Sequence, residues 1–87
     1  MNPTEVELVL QMQAGNLEAL GLLYDRYRQM VFRTALAITG DRDAANDLLQ
    51  DVFAKAYRSL SRFRGQSQFY TWLYSIATNM TLNFLKK

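Results

Sequence analysis

Apolar residues recur along this chain at intervals of three and four, with strict alternation nowhere, so the pattern predicts helices and no strands. Thr4 followed three residues later by Glu7 is a capping-box signature, predicting a short first helix from about Glu5 to Gln13 that stops near Ala14–Gly15. Val6, Val9 and Leu10 would line its inner side. Asn16 can cap a second helix, with Glu18 in its first turn, and the series Leu17, Leu20, Tyr24, Tyr27, Val31 and Ile38 keeps helical spacing as far as Gly40. Asp41 or Asp43 then caps a third helix, in which Ala45, Leu48, Leu49, Val52, Phe53, Ala56 and Leu60 form one unbroken apolar stripe. The polar, basic segment Ser61 to Ser67 reads as a loop, and Ser67 would cap a fourth helix with Phe69, Leu73, Ile76, Ala77, Met80 and Phe84 inward. The expected architecture is an all-α, compact bundle of about four helices.

With 87 residues there is room for one domain, spanning 1–87, and at 49% hydrophobic and 21% charged residues the chain has the means to build one core. It contains no cysteine and no histidine, which removes disulfides, imidazole catalysis and the common zinc sites from consideration. No enzyme activity, metal or cofactor is expected. No apolar run approaches the roughly 18 residues of a membrane span, and no leader-like pattern opens the chain, so membrane insertion is not expected and a cytoplasmic location is.

Charge changes the picture more than composition does. Met1 to Asp51 holds four basic and eight acidic residues, whereas Val52 to Lys87 holds six basic residues and no acid. Eight of the eleven aromatics also fall after Val52. Cations beside flat aromatic faces suit single-stranded nucleic acid, whose phosphates need charge and whose unstacked bases need platforms.

Three clusters carry candidate chemistry. Asp47, Gln50 and Asp51 share the helix face opposite the apolar stripe; an ordinary solvated face would look the same, except that Asp47 and Asp51 set like charges one turn apart, a cost Asp51 can relieve by pairing with Lys55. The loop Arg62-Phe63-Arg64-Gly65-Gln66-Ser67 puts two arginines around an aromatic at the mouth of the fourth helix, where backbone amides can receive a phosphate. Phe63 could equally fold back on the core. Finally, Phe69-Tyr70-Thr71-Trp72-Leu73-Tyr74 packs four aromatics into six residues, more than one buried stripe absorbs, which leaves Tyr70, Tyr74 and Trp72 as stacking candidates.

The run Asp43 to Tyr57, followed by Phe63-Arg64-Gly65 and then by Phe69 to Asn79, resembles region 2 of extracytoplasmic-function sigma factors over essentially the whole chain. That resemblance implies a transcription initiation domain. Asp47, Gln50 and Asp51 would dock on the clamp helices of the RNA polymerase β′ subunit, with Leu48 and Phe53 chiefly in the core. The loop and fourth helix would bind the non-template strand of the promoter minus-ten element, holding one base flipped from the stack. By the same resemblance Phe63, Arg64, Gly65, Gln66, Ser67 and Phe69 form the pocket rim, Tyr70, Trp72 and Tyr74 melt and stack, and Asn79 touches a base edge. Asn83, Lys86 and Lys87 follow the strand, with Lys55 and Arg62 adding positive charge. Family members continue into a linker and a minus-thirty-five-reading domain that is absent from these 87 residues, and only two lysines follow the fourth helix, so weak DNA affinity in isolation is expected.

Two other classes compete. A helical protein-interaction adaptor, such as an anti-sigma-binding module without DNA contact, would use the same exposed aromatics. A hydrolase built on Asp47 and Asp51 lacks both a metal-site companion and a pocket.

Overall fold

The computed structural model describes residues 4–65 and 67–86. Four helices follow in order, α1 (Glu5–Gln13), α2 (Leu17–Thr39), α3 (Arg42–Ser59) and α4 (Phe69–Leu85), with a single 3-10 turn, Leu60–Arg62, continuing α3. No strand occurs among the described residues. The caps explain the boundaries. Thr4 Oγ1 accepts from the Glu7 amide at 3.2 Å, and Asn16 Oδ1 from the Glu18 amide at 3.0 Å. Asp41, not Asp43, caps α3, its carboxylate accepting from the amides of Asp43 and Ala44. Between α2 and α3 the chain reverses at Gly40, whose φ of 67° lies in the left-handed region, and its amide closes the helix by donating to Leu36 O at 2.8 Å.

At 23 residues α2 is the longest element, and a rise of 1.5 Å per residue makes it about 34 Å long. That nearly matches the molecule's longest extent of 38 Å. α2 is the spine: α1, α3 and α4 all pack against it, and α3 packs on α4. The core stripe of α3 is as the periodicity predicts, with Ala45, Leu48, Leu49, Val52, Phe53, Ala56 and Leu60 all buried, Ala44 beside them.

Elsewhere the inner faces differ from the sequence expectation. In α1 the buried residues are Leu8, Val9 and Met12, while Val6 and Leu10 are 67% and 59% exposed. A nine-residue helix with apolar residues on two adjoining stripes does not choose between them; its seat on α2 does. In α2, Leu17 in the first turn is exposed, and small Ala19 and Ala35 are buried with Leu23 and Val31. Large side chains drew the expected stripe, but close helix approach needs small ones. In α4, Phe84 is 45% exposed and Thr81 is fully buried instead. The Thr81 hydroxyl donates to Ala77 O at 2.7 Å, which removes the penalty of burying it. Ser67 does not cap α4: the N-cap is Gln68, without a side-chain hydrogen bond.

Candidate functional site

α3 carries a gradient of charge along its length. Asp41 and Asp43 stand at its start on either side of Arg42, Asp47 and Asp51 follow, and Lys55 and Arg58 occupy its last turns, all exposed, so the acids outnumber the one base in the first half. Acids near the amino end and bases near the carboxyl end both favour the helix dipole. The only ion pair among the described residues joins Arg26 to Glu5 at 3.9 Å, so the expected Asp51–Lys55 pairing does not form. Lys55 stands on the Asp51 face one turn further on. Gln50 is tied sideways: its amide donates to the Tyr24 hydroxyl at 3.3 Å, and the Tyr24 ring meets Phe53 edge-on at 4.8 Å. A shallow cleft of about 510 Å³ runs beside it between α2 and α3, with Leu20, Tyr24, Phe53 and Tyr57 in its walls.

Beyond α3 the 3-10 turn delivers the arginine-bearing loop. Phe63 is partly buried, its ring 5.0 Å from Trp72 and 6.0 Å from Phe69, so of the two options for Phe63 the structure takes the inward one. Arg62, Arg64, Gly65 and Ser67 are exposed, and Gly65 turns the chain with φ 72°, a conformation L side chains rarely adopt. Gln66 and Lys87, expected at the loop and beyond the fourth helix, lie outside the described residues. Phe69, expected on the pocket rim, is only 3% exposed and belongs to the core beneath the loop.

Loop, α1 and the start of α4 together line an open cavity of about 950 Å³. Glu5, Val9 and Gln13 of α1 form one side, Tyr27 the floor, and Phe63, Arg64, Gly65 and Tyr70 the other side. The contribution of α1 was missed by the sequence reading, because nothing local in Glu5 or Gln13 signals that the helix lies against a loop some fifty residues later.

Tyr27 links these walls. Its hydroxyl donates to the Glu5 carboxylate, and its ring packs on Phe69 at 5.6 Å and edge-on against Tyr70 at 5.9 Å. Burial, then the hydrogen bond and charge of Glu5, push its pKa from 10.0 up to about 12, against a smaller opposing effect of Arg26. A folded-state value above the unfolded one means that the phenol proton stabilises the fold fully below pH 10 and progressively less up to pH 12. Denaturant midpoints measured across that window should fall more steeply in wild type than in Tyr27→Phe.

α4 divides the remaining candidates. Tyr70 and Tyr74 are 45% and 46% exposed and lie nearly parallel, ring centres 6.3 Å apart. At about 100° per residue, Asn79 and Asn83 stand within about 20° of Trp72 around the helix, and about 180° from the tyrosine pair. The sequence reading treated these as one surface; they occupy two flanks of α4. α4 itself has no charged residue between Phe69 and Leu85; along the chain, Lys55, Arg58, Arg62 and Arg64 precede it and Lys86 follows.

No helix among the described residues is long and apolar enough to cross a membrane, and no group of three metal-ligating side chains occurs among them.

Comparison with known proteins agrees with the fold. A family model described as Sigma-70 region 2 matches residues 23–87. The chain is 42% identical over 79 residues to the RNA polymerase sigma-H factor of Pseudomonas aeruginosa, covering 91% of this chain and 41% of that protein. It is 43% identical over 82 residues to the ECF RNA polymerase sigma-E factor of Haemophilus influenzae, covering 94% of this chain and 43% of that protein. The chain thus spans about two fifths of the length of these relatives. Among solved structures, an engineered region 2 of sigmaE in complex with GTAAAA, determined by NMR, superposes with a TM-score of 0.89 at 36% identity, covering 99% of this chain and 92% of that one.

Proposed function

The chain belongs to the sigma-70 region 2 family, in its extracytoplasmic-function branch, and from that premise we propose that it docks on RNA polymerase and captures promoter minus-ten bases as they leave the duplex. Sigma factors are transcription initiation factors, not enzymes, and the work here is binding alone. The observation that carries the reading is the open cavity with Arg64 and Gly65 on one side, the loop anchored through Phe63 on Trp72, at the basic end of a helix whose first half is mainly acidic.

In this reading one flipped base enters the cavity against Tyr70, which Tyr74 buttresses by stacking. Neighbouring bases continue over the loop and along the Trp72, Asn79 and Asn83 flank, with Lys86 and Lys87 beyond. Arg62, Arg64 and the uncapped amides of α4 meet phosphates, aided by Lys55, Gln66 and Ser67. Phe69 acts from below, holding the floor. Unpairing costs a few kcal/mol, which stacking at roughly 1–3 kcal/mol per base can offset once polymerase holds the DNA. The relative bound to GTAAAA supports this use of the fold.

The acidic face of α3 is proposed to meet the β′ clamp helices through Asp47, Gln50 and Asp51, and cytoplasmic residence follows from that partnership. A pull-down with isolated clamp helices tests it. Asp51→Lys should weaken binding about tenfold or more, because it sets like charges together in the contact. Gln50→Ala should cost several-fold, losing the side chain that Tyr24 holds in place. Wild-type binding by both variants would remove the docking assignment. An anti-sigma factor is proposed to compete for the same exposed face and the neighbouring cleft.

A further inference from the structure

Gln13, the last residue of α1, reaches across the molecule to the loop: its side-chain nitrogen lies 3.0 Å from Leu60 O and 3.1 Å from Phe63 O. Both partners are carbonyl oxygens, which only accept, so the amide must present both of its hydrogens to them. The two carbonyls mark the two ends of the 3-10 turn, itself closed by the Phe63 amide on Leu60 O at 3.0 Å. One primary amide therefore pins both ends of the segment that launches Arg64 and the left-handed Gly65. A carboxylate would bring oxygen against oxygen, and an apolar side chain would take both donors away from these carbonyls.

We propose that Gln13 is a positioning residue for base capture, which rests on the strand-capture reading above: it fixes the turn so that Phe63 seats on Trp72 and Arg64 faces the cavity. Gln13 itself lines that cavity. Its effect reaches the DNA through the order of the loop, because a flexible loop must be immobilised on binding and a pinned one need not be.

Trp72, the single tryptophan, is a built-in reporter, since the Phe63 ring rests 5.0 Å from it. The test compares wild type with Gln13→Leu, which keeps bulk and loses both donors, and Gln13→Glu, which keeps shape and reverses them. Affinity for a single-stranded GTAAAA oligonucleotide is measured at low temperature, where circular dichroism verifies that all three chains are folded. The expected result is about tenfold weaker binding in both variants, greater acrylamide quenching of Trp72, and unchanged affinity for the β′ clamp helices, whose proposed contacts Asp47, Gln50 and Asp51 lie on α3 away from the turn. Wild-type oligonucleotide affinity in both variants would overturn the inference, as would a matching loss of clamp-helix binding, which would report general destabilisation. Should wild type itself ignore the oligonucleotide, the strand-capture reading fails. Quenching and amide exchange at Arg64 and Gly65 then still decide whether Gln13 orders the loop, and unchanged values in the variants overturn that claim also.

Discussion

Tyr70→Ala and Asn79→Ala should each weaken binding of single-stranded GTAAAA about tenfold, and the double variant about a hundredfold. The two side chains leave α4 in opposite directions, across a helix about 10 Å wide, so they share no partner and their effects should add. Tyr70 offers one stacking face, and a base stacked on an aromatic is worth roughly 1–3 kcal/mol. Asn79 offers an amide edge, and a good amide–base pair carries a similar range. Both residues are exposed, so neither change should do more than slightly lower stability. Fluorescence anisotropy with a labelled oligonucleotide checks it, with a scrambled sequence alongside. A single variant that binds like wild type would confine the strand to the other flank. No loss in either, with no preference over the scrambled sequence, would favour the adaptor class.

Leu73→Ala should be a severely damaging core truncation in α4. Leu73 is wholly buried in the cluster that joins α2, α3 and α4, flanked by Phe69 and Ala77 one turn either way. Removing a buried leucine to the β-carbon costs about 3 kcal/mol, the transfer of its methyl groups plus the cavity left behind. A domain of this size has on the order of 4–13 kcal/mol in total, so a large fraction of its stability is at stake. Thermal unfolding should drop by roughly 12–24 °C, and the urea midpoint should fall at unchanged slope. A shift of only a few degrees would mean that Trp72, Ile76 and Met80, partly buried around the same cluster, collapse into the space.

The parts of this fold legible in the sequence are those that local chemistry dictates. Asp41, Asn16 and Thr4 cap by accepting from amides two or three residues on, and a stripe as long as that from Ala45 to Leu60 admits one inner face. What escaped depends on partners far along the chain. Which side of α1 is buried is decided by α2, and the buried threonine of α4 is tolerated only because Ala77 supplies an acceptor. The candidate site divides the same way. The acids of α3 and the loop arginines were readable from order and charge, while the Gln13 bridge, the Tyr27–Glu5 bond and the separation of Asn79 from Tyr70 arise from three-dimensional placement. Ser67 was misplaced as a cap because a serine before an apolar run satisfies the pattern whether or not its hydroxyl turns inward.

The graded charge of α3 has a mechanical side. From Gln50 to Leu60 the chain climbs ten residues of unbroken helix and turn, about 15 Å, with no joint between. The element therefore acts as a ruler: wherever its acidic end is seated, the distance and the azimuth of the arginine loop are already fixed. One residue more or less in that stretch would move the loop by only about 1.5 Å but swing it through about 100°. The proposed start of strand separation is thus measured out by phase, turn by turn, from the point of attachment.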